Sequence, residues 1–437
     1  VTDALIERAV QRFGMAAGEL LVGGLPVGAL AAEHGTPLYV YGAELMDRAL
    51  ERLRAALPPR VEIAYSVKAN PNPALLRRFL ARGLGLEVAS AGELTLARHA
   101  GCPPARIVFA GPGKTDAELA LALDEGIAEI HVESLGECER LAALARRRGR
   151  PAPVAIRVNP SAEAQGGAMR MGGRPGPFGV DEEALDDVLA CVLGDGALEL
   201  RGLHVYSGTQ ILAHEVLAGQ YGKALALARR VARRAGRPLA TLDLGGGLGV
   251  PYVSGEPELD LDALREALTG VMGGLESDPW LATTRLLVEP GRFLVAEAGV
   301  YVTRVVDVKR SKGKTFVVLD GGMHHHLAAS GNLGQVIKRN FPVALVGKLG
   351  KAPTETADLV GPLCTPLDTL ARELPVPAPE VGDLVGVFQS GAYGLTASPT
   401  GFLSHPAPAE VLVERGVARL IRRRGSHADL LRDLTGA

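Results

Sequence analysis

The sequence predicts an α/β chain, a closed (β/α)8 barrel followed by a separate β-rich domain, and three observations carry that prediction. Eight short apolar or β-branched runs occur, at 61–67, 86–89, 106–110, 129–133, 154–158, 200–206, 241–244 and 285–289. Stretches rich in Ala, Leu, Arg and Glu with helical spacing separate them, as at 91–99, 116–124, 135–147 and 217–235. From about residue 295 the helical spacing fades and strand-like runs take over. Strand and helix in alternation build parallel βαβ units, and eight such units close into a barrel, with an open doubly wound sheet as the rival.

Each part has its own signature. Residues 300–309 and 314–319 read as strands, Gly- and Pro-rich loops run to 403, and 411–421 again alternates like sheet. The hairpin-like segment from Gly18 to Val27 is expected to join this β-rich part. The expected division is therefore 1–35 with the β-domain, 36–294 as barrel, and 295–437 as β-domain.

Composition narrows the class of function. A formal net charge of -2 lacks the basic excess of a nucleic-acid or anionic-membrane binder. The arginine runs 146–148 and 422–424 have no interleaved aromatic residues to stack on bases, so both read as solvated surface. No apolar run reaches the roughly 18 residues of a membrane span. Cys102, Cys138, Cys191 and Cys364 lie far apart without a CxxC pair, which points to reduced thiols in a cytoplasmic protein.

The polar oddities fall at strand ends, where barrels of this kind carry their chemistry. Lys68 ends the first run, and an amine behind a buried strand is a candidate Schiff-base lysine, because desolvation frees its lone pair. Gly245, Gly246 and Gly247 end the seventh, where bare backbone N–H groups can converge on an anion. Glu289, Gly291 and Arg292 follow the eighth, placing a carboxylate three residues before a guanidinium. Alone, each has a plainer reading: a snorkelling lysine, a tight turn, a local ion pair. Together they match one ligand, pyridoxal 5'-phosphate (PLP), which needs an amine for its aldehyde, a cradle for its phosphate and an acid facing its ring nitrogen.

With those residues in place, the chain from about 36 to 405 resembles the fold-type III PLP decarboxylases, the superfamily of ornithine and diaminopimelate decarboxylases with an alanine-racemase-like barrel. The Y-x-x-K-A motif reads Tyr65 to Ala69, and the Ser/Gly segment after the second run reads Glu87 to Glu93. The triple glycine and the Glu289-Pro290-Gly291-Arg292 motif also match, as do Gly361 to Asp368 (G-P-x-C-x-x-x-D) and Gly391-Ala392-Tyr393. The resemblance implies that Lys68 carries the cofactor and that Glu289 pairs with the pyridine nitrogen. It implies that Gly245–Gly247, Arg292 and Tyr393 hold the phosphate. It further implies a homodimer with shared active sites, Cys364 and Tyr393 crossing the interface and Cys364 protonating the substrate carbon.

Departures from the family pattern concern the substrate. In the segment from Gly202 to Gln210, His204 is kept, but Tyr206 stands where a second histidine usually stacks on the cofactor, and Thr209 replaces the phosphate-contacting serine. Thr365 stands where diamine-forming enzymes place an acid, and Ala328 where diaminopimelate enzymes place an arginine. Pro177 replaces a lysine common before F-G, removing an interface ion pair. Thr365, Asp368, Ala328 and His326 are thus the expected substrate contacts, with distal charge recognition altered. The segments 321–332 and 393–406 resemble a specialised branch that includes exosortase-associated decarboxylases and one acting on carrier-tethered glutamate. His324, His325 and His326 cannot all face one ion from a strand, since side chains alternate, so no metal is expected.

The expected activity is decarboxylation of a free or carrier-bound amino acid. The alternatives are a diaminopimelate decarboxylase, an amino-acid racemase and a non-catalytic partner-binding homologue. A carboxylate rather than an arginine at position 289 argues against the racemase, and retention of Lys68, Glu289, Arg292 and Cys364 argues against the non-catalytic homologue.

Overall fold

The computed structural model describes residues 3–161, 169–170, 175–194, 196–206, 208–335 and 337–435. It separates into two compact units, one of residues 51–250 and 258–291, the other of residues 1–50, 251–257 and 292–437.

The first unit is the barrel. Its strands are β1 (Val61–Ser66), β2 (Gly85–Val88), β3 (Ile107–Phe109), β4 (Glu129–Val132), β5 (Ala152–Asn159), β6 (Leu198–Val205), β7 (Thr241–Asp243) and β8 (Arg285–Val288). All pair in parallel with the next in order, and β8 returns to β1 through Leu286–Val61, so the sheet closes and the open-sheet rival falls. Local chemistry sets the intervening helices. Ser90, Thr115 and Ser134 accept N–H bonds from residues three further on, and left-handed Gly126, Gly149 and Gly236 end their helices. In β4, Ile130 and Val132 alternate with Glu129 and His131, and all four are buried, as they must be when helices cover one face and the barrel interior the other.

The second unit is sheet-rich. Gly299–Ser311 pairs antiparallel with Lys314–Leu319 and with Leu38–Gly42, which in turn runs parallel to Ala409–Glu414. Leu38–Gly42 thus belongs to this sheet, although the expected barrel segment began at residue 36. The expected loops before 403 also hold strands: Val343–Leu345, Glu355–Val360, Thr369–Val376 and Leu384–Val387. Three of the four have six residues or fewer, and three bury consecutive rather than alternate residues, so none shows the sustained period-two pattern that marks a strand in sequence. Alternate residues Leu38, Val40, Val300, Val302, Val411 and Val413 pack with Phe13 and Phe388 into one core. The 18–27 segment forms a hairpin of this unit, Glu19–Val22 with Leu25–Pro26, tied by Leu20 N–H to the Val346 carbonyl.

Candidate active site

Lys68 sits in a single 3-10 turn, Val67–Ala69, directly after β1. Its Nζ lies 3.2 Å from both oxygens of Glu87 at the end of β2, and 5.7 Å from the Tyr206 ring centroid. The Lys68 side chain is 40% exposed whereas Glu87 is 1%. The desolvated amine expected from the sequence is therefore a salt-bridged, half-open one, carried on the turn that follows the strand. Ser66 Oγ also donates to Glu87.

The triple glycine follows β7 for steric reasons. A Cβ at Gly245 would lie 2.6 Å from the Val205 carbonyl oxygen and one at Gly247 2.6 Å from that of Gly208, while Gly246 abuts the Glu289 carbonyl. Gly245 and Gly247 also have φ of 70° and 99°, a region that disfavours side chains. At Gly291 a Cβ would meet Ala69 Cβ at 2.8 Å, so this glycine lets the loop after β8 lie against the Lys68 turn. Thr209 pairs through its backbone with Met169, and Ser207 lies outside the described residues.

Beneath these loops lies a buried polar row. Glu289 Oε2 is 3.2 Å from His204 Nε2, and His204 Nδ1 is 3.0 Å from His131 Nδ1. His131 Nε2 is 3.8 Å from Glu129, which accepts a bond of 2.5 Å from Thr241. His204, expected among the cofactor-binding residues, thus contacts the Glu289 carboxylate and His131. Burial holds the His204 ring down, to about 4. Burial pushes the Glu289 carboxyl up, but His204, His131 and Lys68 outweigh it and hold the group below the usual range. The Asp243 carboxyl goes the other way, pushed well up by burial and by the Glu289 charge.

Arg157, at the end of β5, donates to Glu133 at 2.7 Å, and its guanidinium lies 5.7 Å from the centroid of the Tyr206 ring. Tyr206 is thus a ring with two cations within reach, Lys68 and Arg157. The sequence reading missed Glu87, His131 and Arg157 as site residues. The signal was a charged or polar residue inside an otherwise apolar barrel strand, as in the alternation of 129–133. A cavity of about 470 Å³ opens at the opposite, N-terminal ends of the strands, beside Pro58, Glu62, Arg106 and Arg285. None of the expected site residues line it.

In the second unit, Arg292 donates to Tyr252 Oη at 3.0 Å, and its guanidinium lies 4.6 Å from the Tyr393 ring centroid. Tyr252 was not foreseen. Tyr393 adopts a φ of 52°, rare for a residue with a bulky side chain. Cys364 is exposed. Two expected substrate contacts are engaged internally. Asp368 accepts from Met323 N–H at 2.6 Å and Leu363 N–H at 2.9 Å, tying two loops together. His326 is fully buried, with Nε2 2.9 Å from Ser390 Oγ and Nδ1 accepting from Ala329 N–H. Thr365 Oγ1 accepts from Leu367 N–H at 3.3 Å, and Ala328 is half-buried.

A parallel barrel with a lysine, a glycine cradle and a buried carboxylate at consecutive strand ends defines an enzyme built around an aldehyde cofactor. Residues 43–296 match the family described as pyridoxal-dependent decarboxylase, pyridoxal binding domain. The chain is 41% identical over 406 residues to the L-glutamyl-(BtrI acyl-carrier protein) decarboxylase of Niallia circulans, covering 92% of this chain and 94% of that one. It is 37% identical over 432 residues to the diaminopimelate decarboxylase of Zymomonas mobilis, covering 96% and 98%. The solved diaminopimelate decarboxylase of M. jannaschii in complex with L-lysine superposes with a TM-score of 0.88 at 27% identity, covering 97% and 98%. The chain belongs to the pyridoxal-dependent decarboxylases of fold type III and is a PLP-dependent amino-acid carboxy-lyase.

The barrel's own residues fit that cofactor. Glu289 Oε1 is buried with no hydrogen-bond partner among the described residues, as an acceptor awaiting a ring N–H would be. The glycine loop admits no side chain, and Lys68 supplies a primary amine.

Proposed function

We propose that this decarboxylase acts on an amino acid without a free distal charge, either a small free one or an aminoacyl group tethered to a carrier protein. One observation carries the reading: of the four residues expected to contact the far end of the substrate, none offers an unengaged charge. Thr365 and Ala328 have none, and Asp368 and His326 are committed to loop structure. A distal ammonium or carboxylate buried there would lack a partner from this set, which is costly. The 41% identical relative, named for a carrier-linked glutamyl substrate, supports the tethered form. The diaminopimelate alternative draws on the 37% identical relative and is opposed by Ala328.

When bound, PLP supplies the electron sink for the bond to carbon dioxide. In this reading Lys68 would hold the aldehyde, and Glu87, 3.2 Å from its Nζ, would orient the amine. Gly245–Gly247 and Thr209 would hold the phosphate, Tyr206 would supply a ring contact to the cofactor, and Glu289 would keep a proton on its ring nitrogen. Arg292, stacked on Tyr393, is assigned to the phosphate. Cys364, exposed on its loop, is assigned to return the proton from a second subunit of a homodimer. No described helix is long and apolar enough to cross a membrane, and the four free cysteines suit a cytoplasmic location.

The test is carbon dioxide release from a panel of free L-alanine, L-serine, L-glutamate, meso-diaminopimelate, ornithine and lysine, and of glutamate as a carrier-protein thioester. Turnover of the thioester or of an uncharged side chain, at least tenfold above diaminopimelate, is expected. Preference for diaminopimelate overturns the substrate reading. Lys68→Ala is expected to abolish both the bound-cofactor absorbance and turnover.

A further inference from the structure

The barrel interior holds more ionisable groups than the proposed chemistry uses. Glu129, His131, His204, Asp243 and Glu289 are each no more than 4% exposed. One nitrogen or oxygen from each of the last four lies within 4.8 Å of those of the other three. Such groups are costly to bury without a reason. We infer that Glu289 is held as an anion from beneath: His131 and His204, with the Glu129 carboxylate behind them, form a one-way row of N–H donors that ends on its carboxylate, and Asp243 shares a proton with it, so that His131 and Asp243 are positioning residues for the cofactor's ring nitrogen. This rests on the proposed pairing of Glu289 with that nitrogen.

The direction of the row follows from what each atom can donate. A carboxylate only accepts, so His204 Nε2, 3.2 Å from Glu289, carries a hydrogen. The two Nδ1 atoms 3.0 Å apart need one hydrogen between them. His204 is held neutral by burial, so its Nδ1 is a bare lone pair and His131 is the donor. The other nitrogen of His131 faces Glu129, whose carboxyl burial pushes up but His131, Thr241 and Arg285 together hold low. At 3.8 Å this contact is longer than a hydrogen bond, so Glu129 acts on the His131 ring through its charge. Arg285, 3.8 Å from the far oxygen of Glu129, anchors the row at the strand starts.

The other flank is a carboxyl pair. Asp243 Oδ1 accepts from Gly245 N–H at 2.8 Å, while Asp243 Oδ2 and Glu289 Oε1 are buried with no donor among the described residues. One proton between the two carboxyls removes the repulsion of adjacent anions. It resides on Asp243, because the histidine row favours charge on Glu289. Without the row, burial would put the proton on Glu289 itself, and the carboxyl could no longer keep the ring nitrogen protonated. A carboxylate has about four lone-pair sites, enough for His204, Asp243 and a ring N–H together.

The experiment is 15N NMR of the holoenzyme loaded with PLP labelled at the ring nitrogen. Wild type is expected at the pyridinium position. His131→Gln is expected to move the signal toward neutral pyridine, and Glu129→Gln, which removes the negative charge facing the His131 ring, to move it the same way. Asp243→Asn, which keeps a donor but no titratable proton, is expected to leave the signal in place. Glu289→Gln serves as the reference for a lost partner. If it moves the signal while neither His131→Gln nor Glu129→Gln does, the row is overturned and the role of Glu289 stands. If Asp243→Asn moves the signal as far as Glu289→Gln, Asp243 is the anion and the inference fails. If Glu289→Gln leaves the ring nitrogen protonated, the pairing beneath the inference is itself wrong.

Discussion

Two buried ionisable clusters share the barrel, and they differ in one respect. Around Lys114 every charge is answered. Its Nζ, with the side chain 1% exposed, meets Glu137 at 2.8 Å and donates to the carbonyls of Gly111 and His131. Glu133 beside it takes Arg157 and the N–H groups of Gly111 and Gly179. Around Glu289 the arrangement stays open: apart from the proton shared between Glu289 and Asp243, no donor among the described residues reaches Glu289 Oε1 or Asp243 Oδ2. A closed cluster supports the fold. An open one has room for a ligand.

That contrast predicts opposite outcomes on mutation. Glu289→Gln is expected to lower kcat by about 10²–10³, as removal of a preorganised electrostatic partner does, while the melting temperature hardly moves. Steady-state kinetics beside thermal unfolding would show it. Lys114→Met should do the reverse, costing about 3–5 kcal/mol of stability by leaving Glu137 buried and unpaired, with kcat of the folded fraction near wild type. Urea unfolding measures the loss, and adding Glu137→Leu should recover much of it.

Between the clusters sits Tyr206, with Lys68 and Arg157 both 5.7 Å from its ring centroid. Tyr206→Ala is expected to weaken cofactor retention by about 1 kcal/mol, the worth of one ring contact, and Tyr206→Phe to keep it. Equilibrium dialysis of the stripped protein distinguishes the two. Equal loss in both would mean that the hydroxyl, not the ring, is the contact.

The smallest expected effect is one of pH. Burial raises the Glu93 carboxyl to about 7, against lowering by its bond from Ala89 N–H. The native state then keeps a proton that the unfolded chain loses at its lower, ordinary value. Stability from this group is therefore full at acid pH, falls as pH rises from about 4.5 to about 7, and is level above. Glu93→Gln should flatten the slope of the urea midpoint across that window. An unchanged slope would mean that Glu93 titrates normally.

Much of this molecule could be read directly from its residues. The eight barrel strands match the eight runs seen in the sequence, because apolar runs bounded by helical spacing are a local property of the chain. Lys68, the triple glycine and Glu289 were legible because strand ends are where a barrel exposes chemistry, and odd residues there stand out. The partners were not. Glu87 lies 19 residues from Lys68, and His131 lies 73 from His204, so their meetings depend on strand register and closure that no local pattern encodes.

The second unit shows the limit most clearly. Asp368 and His326 carry suitable chemistry for a substrate, and their positions in recognisable segments favoured that role. In the fold, the backbone N–H groups of Met323, Leu363 and Ala329 and the Ser390 hydroxyl already engage them. Residue type determines what a side chain is able to do. Which of those capacities remains for a ligand depends on what the folded chain has already satisfied, and that is decided by contacts between residues far apart in sequence.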